Sequence, residues 1–95
     1  MANVSVWSGS WVDAGDIGLL PGQSHSWLMT GIGFGDVVVV TAAPLSSGAG
    51  DQILEVKDVR TEADPSGGRR LFFTIQNAGG ARALGYGMNF SFMSA

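Results

Sequence analysis

The sequence has 95 residues, no cysteine, one histidine and a formal net charge of −3, so we expect one domain over residues 1–95 without disulfides, a metal site or a cofactor. Its five Lys and Arg residues are too few to release counterions from nucleic acid or an anionic membrane, and we expect neither as a partner. Only 14% of the residues are charged while 45% are hydrophobic, which predicts a homo-oligomer whose copies cover each other's apolar surface.

The N-terminal segment, residues 1–5, lacks the positively charged and apolar regions of a signal peptide. No apolar run approaches the roughly 18 residues of a membrane-spanning helix. We therefore expect the chain as written to stay in the cytoplasm, unless a leader was removed or export takes another route.

The first predicted strand covers residues 4–12. Its alternation places Val4 and Val6 on one face, and Trp7 and Trp11 on the other. Gly9 interrupts the pattern, which indicates a bulge or the close approach of another backbone.

Residues 17–20 form a short predicted strand, closed by Pro21-Gly22 in the order that suits a type II turn. A further strand covers residues 24–30, and the glycine-rich residues 31–36 connect it to the next one at 37–41. Four consecutive valines in that strand, residues 37–40, predict that both of its faces are covered.

Residues 51–63 allow two interpretations. Ile53, Val56 and Val59 recur every three residues, as on a helix, but β-branched side chains lose rotamer freedom in helices. We predict a strand with an irregularity near Lys57-Asp58, where the apolar spacing slips from two to three, and keep a helix as the alternative.

The last predicted strands cover residues 69–77 and 86–93. The turn at 64–68 would join the first of them to 51–63 as a hairpin. Leu71, Phe73 and Ile75 share one face of their strand, while Phe72 and Thr74 share the other. Six to eight short strands separated by turns predict an all-β fold, an antiparallel sandwich of immunoglobulin-like or jelly-roll-like type.

Three segments resemble the CARDB-type (cell-adhesion-related) immunoglobulin-like modules of bacterial and archaeal proteins: residues 54–59, residues 71–79 with their Asn-x-Gly turn, and residues 20–24 followed by Trp27 and 35–39. The resemblance implies a structural or binding module and supplies no catalytic residues. In that family the Pro-Gly segment follows the Asn-x-Gly strand, whereas here it precedes it. Circular permutation, strand exchange between subunits and convergence each account for this order.

Short motifs do not commit the chain to an enzymatic activity, and we expect none. Ser24 and His25 lie in a partial G-x-S-x-G pattern, but neighbours on a strand point to opposite faces and cannot form a nucleophile–base pair. The glycines of residues 31–35 precede a strand instead of the helix that a phosphate-binding loop needs. The turn aspartates lack calcium-loop spacing; they are Asp13, Asp16, Asp36 and Asp51.

Aromatic residues are the most informative candidates for a binding site. Exposed tryptophan and tyrosine rings stack on sugars, but the same residues are common in cores and subunit interfaces. Both interpretations stay open for Trp7, Trp11, Trp27 and Tyr86. The sequence thus predicts a non-catalytic, self-associating structural or interaction module, with a small carbohydrate-binding module or lectin as the alternative.

Overall fold

The computed structural model describes residues 3–12, 17–32, 37–45, 51–63, 65 and 68–94. In these residues the chain forms six strands and no helix. The strands are β1 (Asn3–Val12), β2 (Ser24–Ile32), β3 (Val37–Pro44), β4 (Leu54–Ala63), β5 (Arg69–Asn77) and β6 (Gly85–Ser94). The predicted turn aspartates at 13, 16 and 36, residues 33–36 of the predicted connection at 31–36, and the whole of the loop at 46–50 lie outside the described residues.

The strands form two three-stranded antiparallel sheets, in the orders β1-β6-β3 and β2-β5-β4. The predicted antiparallel sandwich is therefore confirmed. Of the connections between successive strands, β4 to β5 is a hairpin within one sheet, as predicted, and the others cross from one sheet to the other. β5 and β6 are each the central strand of one sheet.

Residues 51–63 contain a strand, so the helical alternative is wrong. The register between β4 and β5 shifts between Lys57 and Arg60, and Asp58 has a φ of 55°. This left-handed conformation, which Asp tolerates better than most residues, inserts the extra position of a bulge. The slip in apolar spacing near Lys57-Asp58 therefore marked the irregularity correctly.

The core lies between the two central strands. Leu71, Phe73 and Ile75 of β5 point inward, as their alternation predicts, and meet side chains of β6. The rings of Phe73 and Phe90 lie 5.5 Å apart in an edge-to-face arrangement, a geometry favoured by the aromatic quadrupole. The side chain of Leu19 is also fully buried. Instead of the predicted strand at 17–20, this segment forms an isolated bridge between Leu19 and Ala83.

Two expectations about the first sheet are not met within a single copy of the chain. The valines of β3 are covered on one face only: Val38 and Val40 point inward, whereas Val37 and Val39 are 59% and 46% exposed. Gly9 does not form a bulge, because the register of β1 with β6 runs without a shift. A Cβ on Gly9 would lie in ordinary van der Waals contact with the indole of Trp7, 3.5 Å away.

Asn77 fastens the loops at one end of the sandwich. Its side chain is fully buried. The Nδ2 group donates to the carbonyls of Leu19 and Ala81 at 2.9 and 2.8 Å, and Oδ1 accepts from the amide of Gly79 at 3.0 Å. Gly79 needs to be glycine, since a Cβ there would collide with the carbonyl oxygen of Asp51. The Asn-x-Gly sequence is thus a structural brace.

The predicted turn at Pro21-Gly22 is present next to this brace. The amide of Gln23 donates to the carbonyl of Leu20 at 2.9 Å, and Gly22 has a φ of 83°, as the second central position of a type II turn requires. The amide of Gly22 also donates to the carbonyl of Asn77 at 2.8 Å, which ties the turn to the end of β5.

Candidate functional site: an aromatic cluster at the open side

The two long sides of the sandwich differ. On one side β3 and β4 lie against each other, whereas on the other side β1 and β2 barely meet. Aromatic side chains from β1, β2 and β6 fill the gap between those two edges. This open side brings together most of the aromatic residues singled out from the sequence.

Tyr86 is the centre of the aromatic cluster. Its side chain is 0% exposed, and its hydroxyl lies 2.8 Å from the indole Nε1 of Trp27 and 2.7 Å from Nδ1 of His25. The indole can only donate, so the hydroxyl accepts from Trp27. Because an unpaired hydroxyl proton would be costly in this buried position, donation to Nδ1 of His25 is the favoured arrangement, and it corresponds to the neutral imidazole with its proton on Nε2.

Burial controls the ionisation of this network. It raises the pKa of Tyr86 to about 12, partly offset by the hydrogen bond from Trp27. It also lowers the pKa of His25 from 6.5. Both shifts favour the neutral forms, because burial penalises charge. The network therefore consists of neutral groups near pH 7, with each hydrogen bond in a defined direction.

Trp11 completes the cluster from β1. Its ring centroid lies 4.5 Å from that of His25, edge to face, and 5.2 Å from that of Tyr86. The pairing of Trp11 with Tyr86 in the β1–β6 register places these two rings side by side. Outside them lies a shallow hollow of about 330 Å³, lined by Trp11, Trp27, His25 and the flanking Ser24 and Ser26.

Trp7 lies further along the same open side. Its indole is 52% exposed and stands 4.9 Å from the ring of Phe90, its register partner on β6. It borders a second hollow of about 340 Å³, whose apolar lining includes Trp27, Met29, Phe73 and Met88. Trp27 lines both hollows, so it separates them as a shared wall.

The four predicted residues thus occupy one side of the molecule but differ in access. Trp7 is half exposed, Trp11 and Trp27 are partly buried, and Tyr86 has no exposed surface. A ligand at the open side would contact the tryptophans, while Tyr86 positions them from beneath. Which of these residues, if any, contacts a ligand stays a prediction.

The sequence analysis considered His25 only beside Ser24 and did not find its partner. The hydrogen bond to Tyr86 joins residues 61 positions apart, and no local pattern encodes such a pairing. Ser24 and His25 do point to opposite sides of β2, with Ser24 exposed and His25 partly buried, as the alternation predicts.

Within the described ranges, no cluster of His, Cys, Asp or Glu is suited to hold a metal ion. In the same part of the chain, no helix is long and apolar enough to span a lipid bilayer.

A second surface of interest is the outward side of the first sheet. None of the residues of β1, β3 or β6 is charged. We call the outward side chains of these strands the neutral face: Val6, Ser8, Ser10, Val12, Val37, Val39, Thr41, Ala43, Asn89, Ser91 and Met93. Val6, Val39 and Met93 are exposed there, at 70%, 46% and 36%.

The outward side of the second sheet, which we call the charged face, has the opposite chemistry. Its outward side chains are Ser24, Ser26, Leu28, Glu55, Lys57, Arg60, Glu62, Arg70, Phe72, Thr74 and Gln76. The guanidinium groups of Arg60 and Arg70 lie 4.5 and 5.7 Å from the ring of Phe72, and Glu62 pairs with both arginines. The one large aromatic side chain of this face is therefore covered by its own neighbours.

Comparison of the chain with protein-family models, with curated proteins and with solved structures finds no match.

Proposed function

We propose that this chain is a non-catalytic structural module that assembles with copies of itself through the neutral face. The observation that carries the proposal is the absence of charge from all three strands of one sheet, combined with exposed valines on its outward side. The resemblance of three segments to CARDB-type immunoglobulin-like modules supports the same class of function.

A second copy fits this face better than a charged partner would. An uncharged surface offers no electrostatic selectivity for nucleic acid or an ionic ligand. The outward side chains of this face are small or β-branched, and they leave a hollow of about 300 Å³ lined by Ser8, Thr41 and Asn89 among others. Uncharged sheet faces pack against each other about 10 Å apart. Two copies of the same face are complementary to each other, as a two-fold interface requires.

The test introduces one charge into the neutral face. Val39→Lys places an ammonium group on β3, where burial against a second copy would leave it without a partner. We expect wild-type protein to sediment as an assembly at micromolar concentration and Val39→Lys to sediment as a smaller particle. Gln76→Lys on the charged face, directly opposite Glu55, is the matched control and should sediment like wild type. A monomeric wild type, or equal behaviour of both variants, would show the proposal to be wrong.

Carbohydrate binding is the second candidate, and the position of Trp7 favours it. The indole is half exposed, packs beside Gly9 and borders a hollow whose lining also includes Ser10. An accessible aromatic ring of this kind can stack on the apolar face of a sugar. Saturable quenching of tryptophan fluorescence by a soluble oligosaccharide, lost in Trp7→Ala and kept in Val39→Lys, would support this function. No response to a broad sugar panel would exclude it.

A further inference from the structure

The four edge strands of the sandwich are β1, β2, β3 and β4, and three of them are protected. β4 carries a bulge and several charges, β2 has a register shift between Met29 and Ile32, and β3 ends in Pro44. Bulges, charges and prolines are the features by which natural sheets prevent pairing with other chains.

β1 has none of these features. It is ten residues long, contains no charge and no proline, and pairs with β6 through an uninterrupted register. Among the described strands, β6 is its one neighbour, so a full row of backbone groups faces away from the sheet on its other side. Such a long uncharged edge is a template for another strand.

We infer that β1 pairs antiparallel with β1 of a second copy across a two-fold axis, which extends the first sheet from three strands to six. The inference rests on the proposed self-association and adds to the neutral face a second, separate interface. The occupant is a second copy because an uncharged strand that pairs with itself needs no other chemistry, and antiparallel self-pairing is the isologous arrangement.

The pleat restricts the register of this pair. Both copies must keep their tryptophans on the inward side, so inward residues pair with inward residues. A two-fold axis at Ser8 satisfies this condition and places Trp7 opposite Gly9, where the partner strand has no Cβ. An axis at Trp7 would place two tryptophan side chains directly opposite, and an axis at Gly9 would pair only seven residues. We therefore place the axis at Ser8.

The same pairing closes the open side of the sandwich. The hollow beside Trp7 faces the added strand, so the half-exposed indole becomes buried between the copies. With the edge and the neutral face both used, each copy has two different two-fold interfaces, and the assembly grows beyond a dimer.

Cysteine cross-linking tests the inference, since the chain has no cysteine of its own. Directly opposed residues of an antiparallel pair have Cα atoms about 4.5–5.5 Å apart, within reach of a disulfide. Sheets packed face to face are about 10 Å apart and out of reach. We expect Ser8→Cys to form a covalent dimer rapidly under mild oxidation. Ser10→Cys and Ser26→Cys, exposed serines on edge strands, should stay largely uncross-linked.

The outcomes separate this inference from the proposed function. No disulfide in Ser8→Cys, or equal cross-linking of Ser10→Cys, would overturn β1 pairing at this register even if wild type assembles through the neutral face. Combining Ser8→Cys with Val39→Lys should leave a disulfide-linked dimer and no larger particle. Hydrogen exchange gives an independent measurement. Pairing protects the amides of β1 that point away from β6, but not the amides on the free edge of β3.

Discussion

Two buried polar side chains near the same end of this sandwich are satisfied in different ways. Asn77 and Tyr86 are both 0% exposed and both hydrogen-bonded. The partners of Asn77 are backbone groups, which have no titration of their own. The partners of Tyr86 are the side chains of His25 and Trp27, and the imidazole of His25 is titratable, with its pKa lowered from 6.5 by burial. The hydrogen bonds of Asn77 therefore do not depend on the ionisation of their partners, whereas the hydrogen bonds of Tyr86 change with pH.

Their positions give this difference a consequence for function. The Asn77 brace joins loops at the end of the central strand β5. The Tyr86 network lies beneath the open side, where Trp11 of β1 stacks against it. The edge strand that we propose as an interface is thus supported by the pH-responsive network.

The largest effect should come from Asn77→Ala. The substitution leaves the carbonyl of Ala81 and the amide of Gly79 without the Asn77 side chain, while the carbonyl of Leu19 keeps the amide of Ala83. Two unpaired backbone groups and a small cavity should lower the free energy of unfolding by roughly 3 kcal/mol. Urea titration measures the loss, and Gln76→Ala on the same strand is the control. A loss below about 1 kcal/mol would show that water replaces the brace.

An alkaline titration should have a smaller effect, specific to the open side. The unfolded chain releases the tyrosine proton near pH 10, whereas folded Tyr86 keeps it to about pH 12. Since the unfolded state then binds fewer protons, stability is unaffected below pH 10 and falls as the pH rises to 12. The loss amounts to roughly 2–3 kcal/mol.

Tyr86→Phe is the control for this titration, as it removes the hydroxyl and keeps the ring. The difference in unfolding free energy between wild type and Tyr86→Phe should narrow between pH 10 and 12, measured by urea titration at each pH. A difference that stays constant over that range would mean that the hydroxyl ionises as in the unfolded chain.

The sequence predicted the strands well because their signals are local. Alternation in residues 71–75, the Pro21-Gly22 turn and the slip at Lys57-Asp58 each reflect backbone geometry within a few residues. The exposure of Val37 and Val39 was missed because a run of valines does not show whether a second layer exists on each side.

The candidate site could be predicted only in part, because residue type is a local signal and the grouping of residues is not. Large aromatic residues were identified by type, but their grouping depends on which strands pair. Trp11 meets Tyr86 through the β1–β6 register, and Trp27 reaches the same hydroxyl from the opposite sheet. Strand order arises from long-range packing and is not encoded in local alternation. The buried Tyr86 hydroxyl and its bond to His25 were therefore beyond sequence reasoning.

Acidification should produce the smallest effect. The pKa of His25 is lowered from 6.5 by burial, so below pH 6.5 the unfolded chain takes up a proton that the folded chain resists. Stability is then complete above pH 6.5 and falls as the pH decreases. Protonation at Nδ1 would also turn the acceptor of the Tyr86 hydroxyl into a donor.

Thermal unfolding at a series of pH values from 7 to 5 measures this effect, with His25→Gln as the variant that cannot titrate. We expect the wild-type melting temperature to decline more steeply than that of His25→Gln. The two proteins have the same carboxylates, so the difference between their melting temperatures reports the imidazole alone. Parallel curves would mean that His25 ionises equally in both states. Because His25 contacts Trp11 of β1, a steeper wild-type decline accompanied by faster exchange of β1 amides would locate the loosening at the open side rather than at the Asn77 brace.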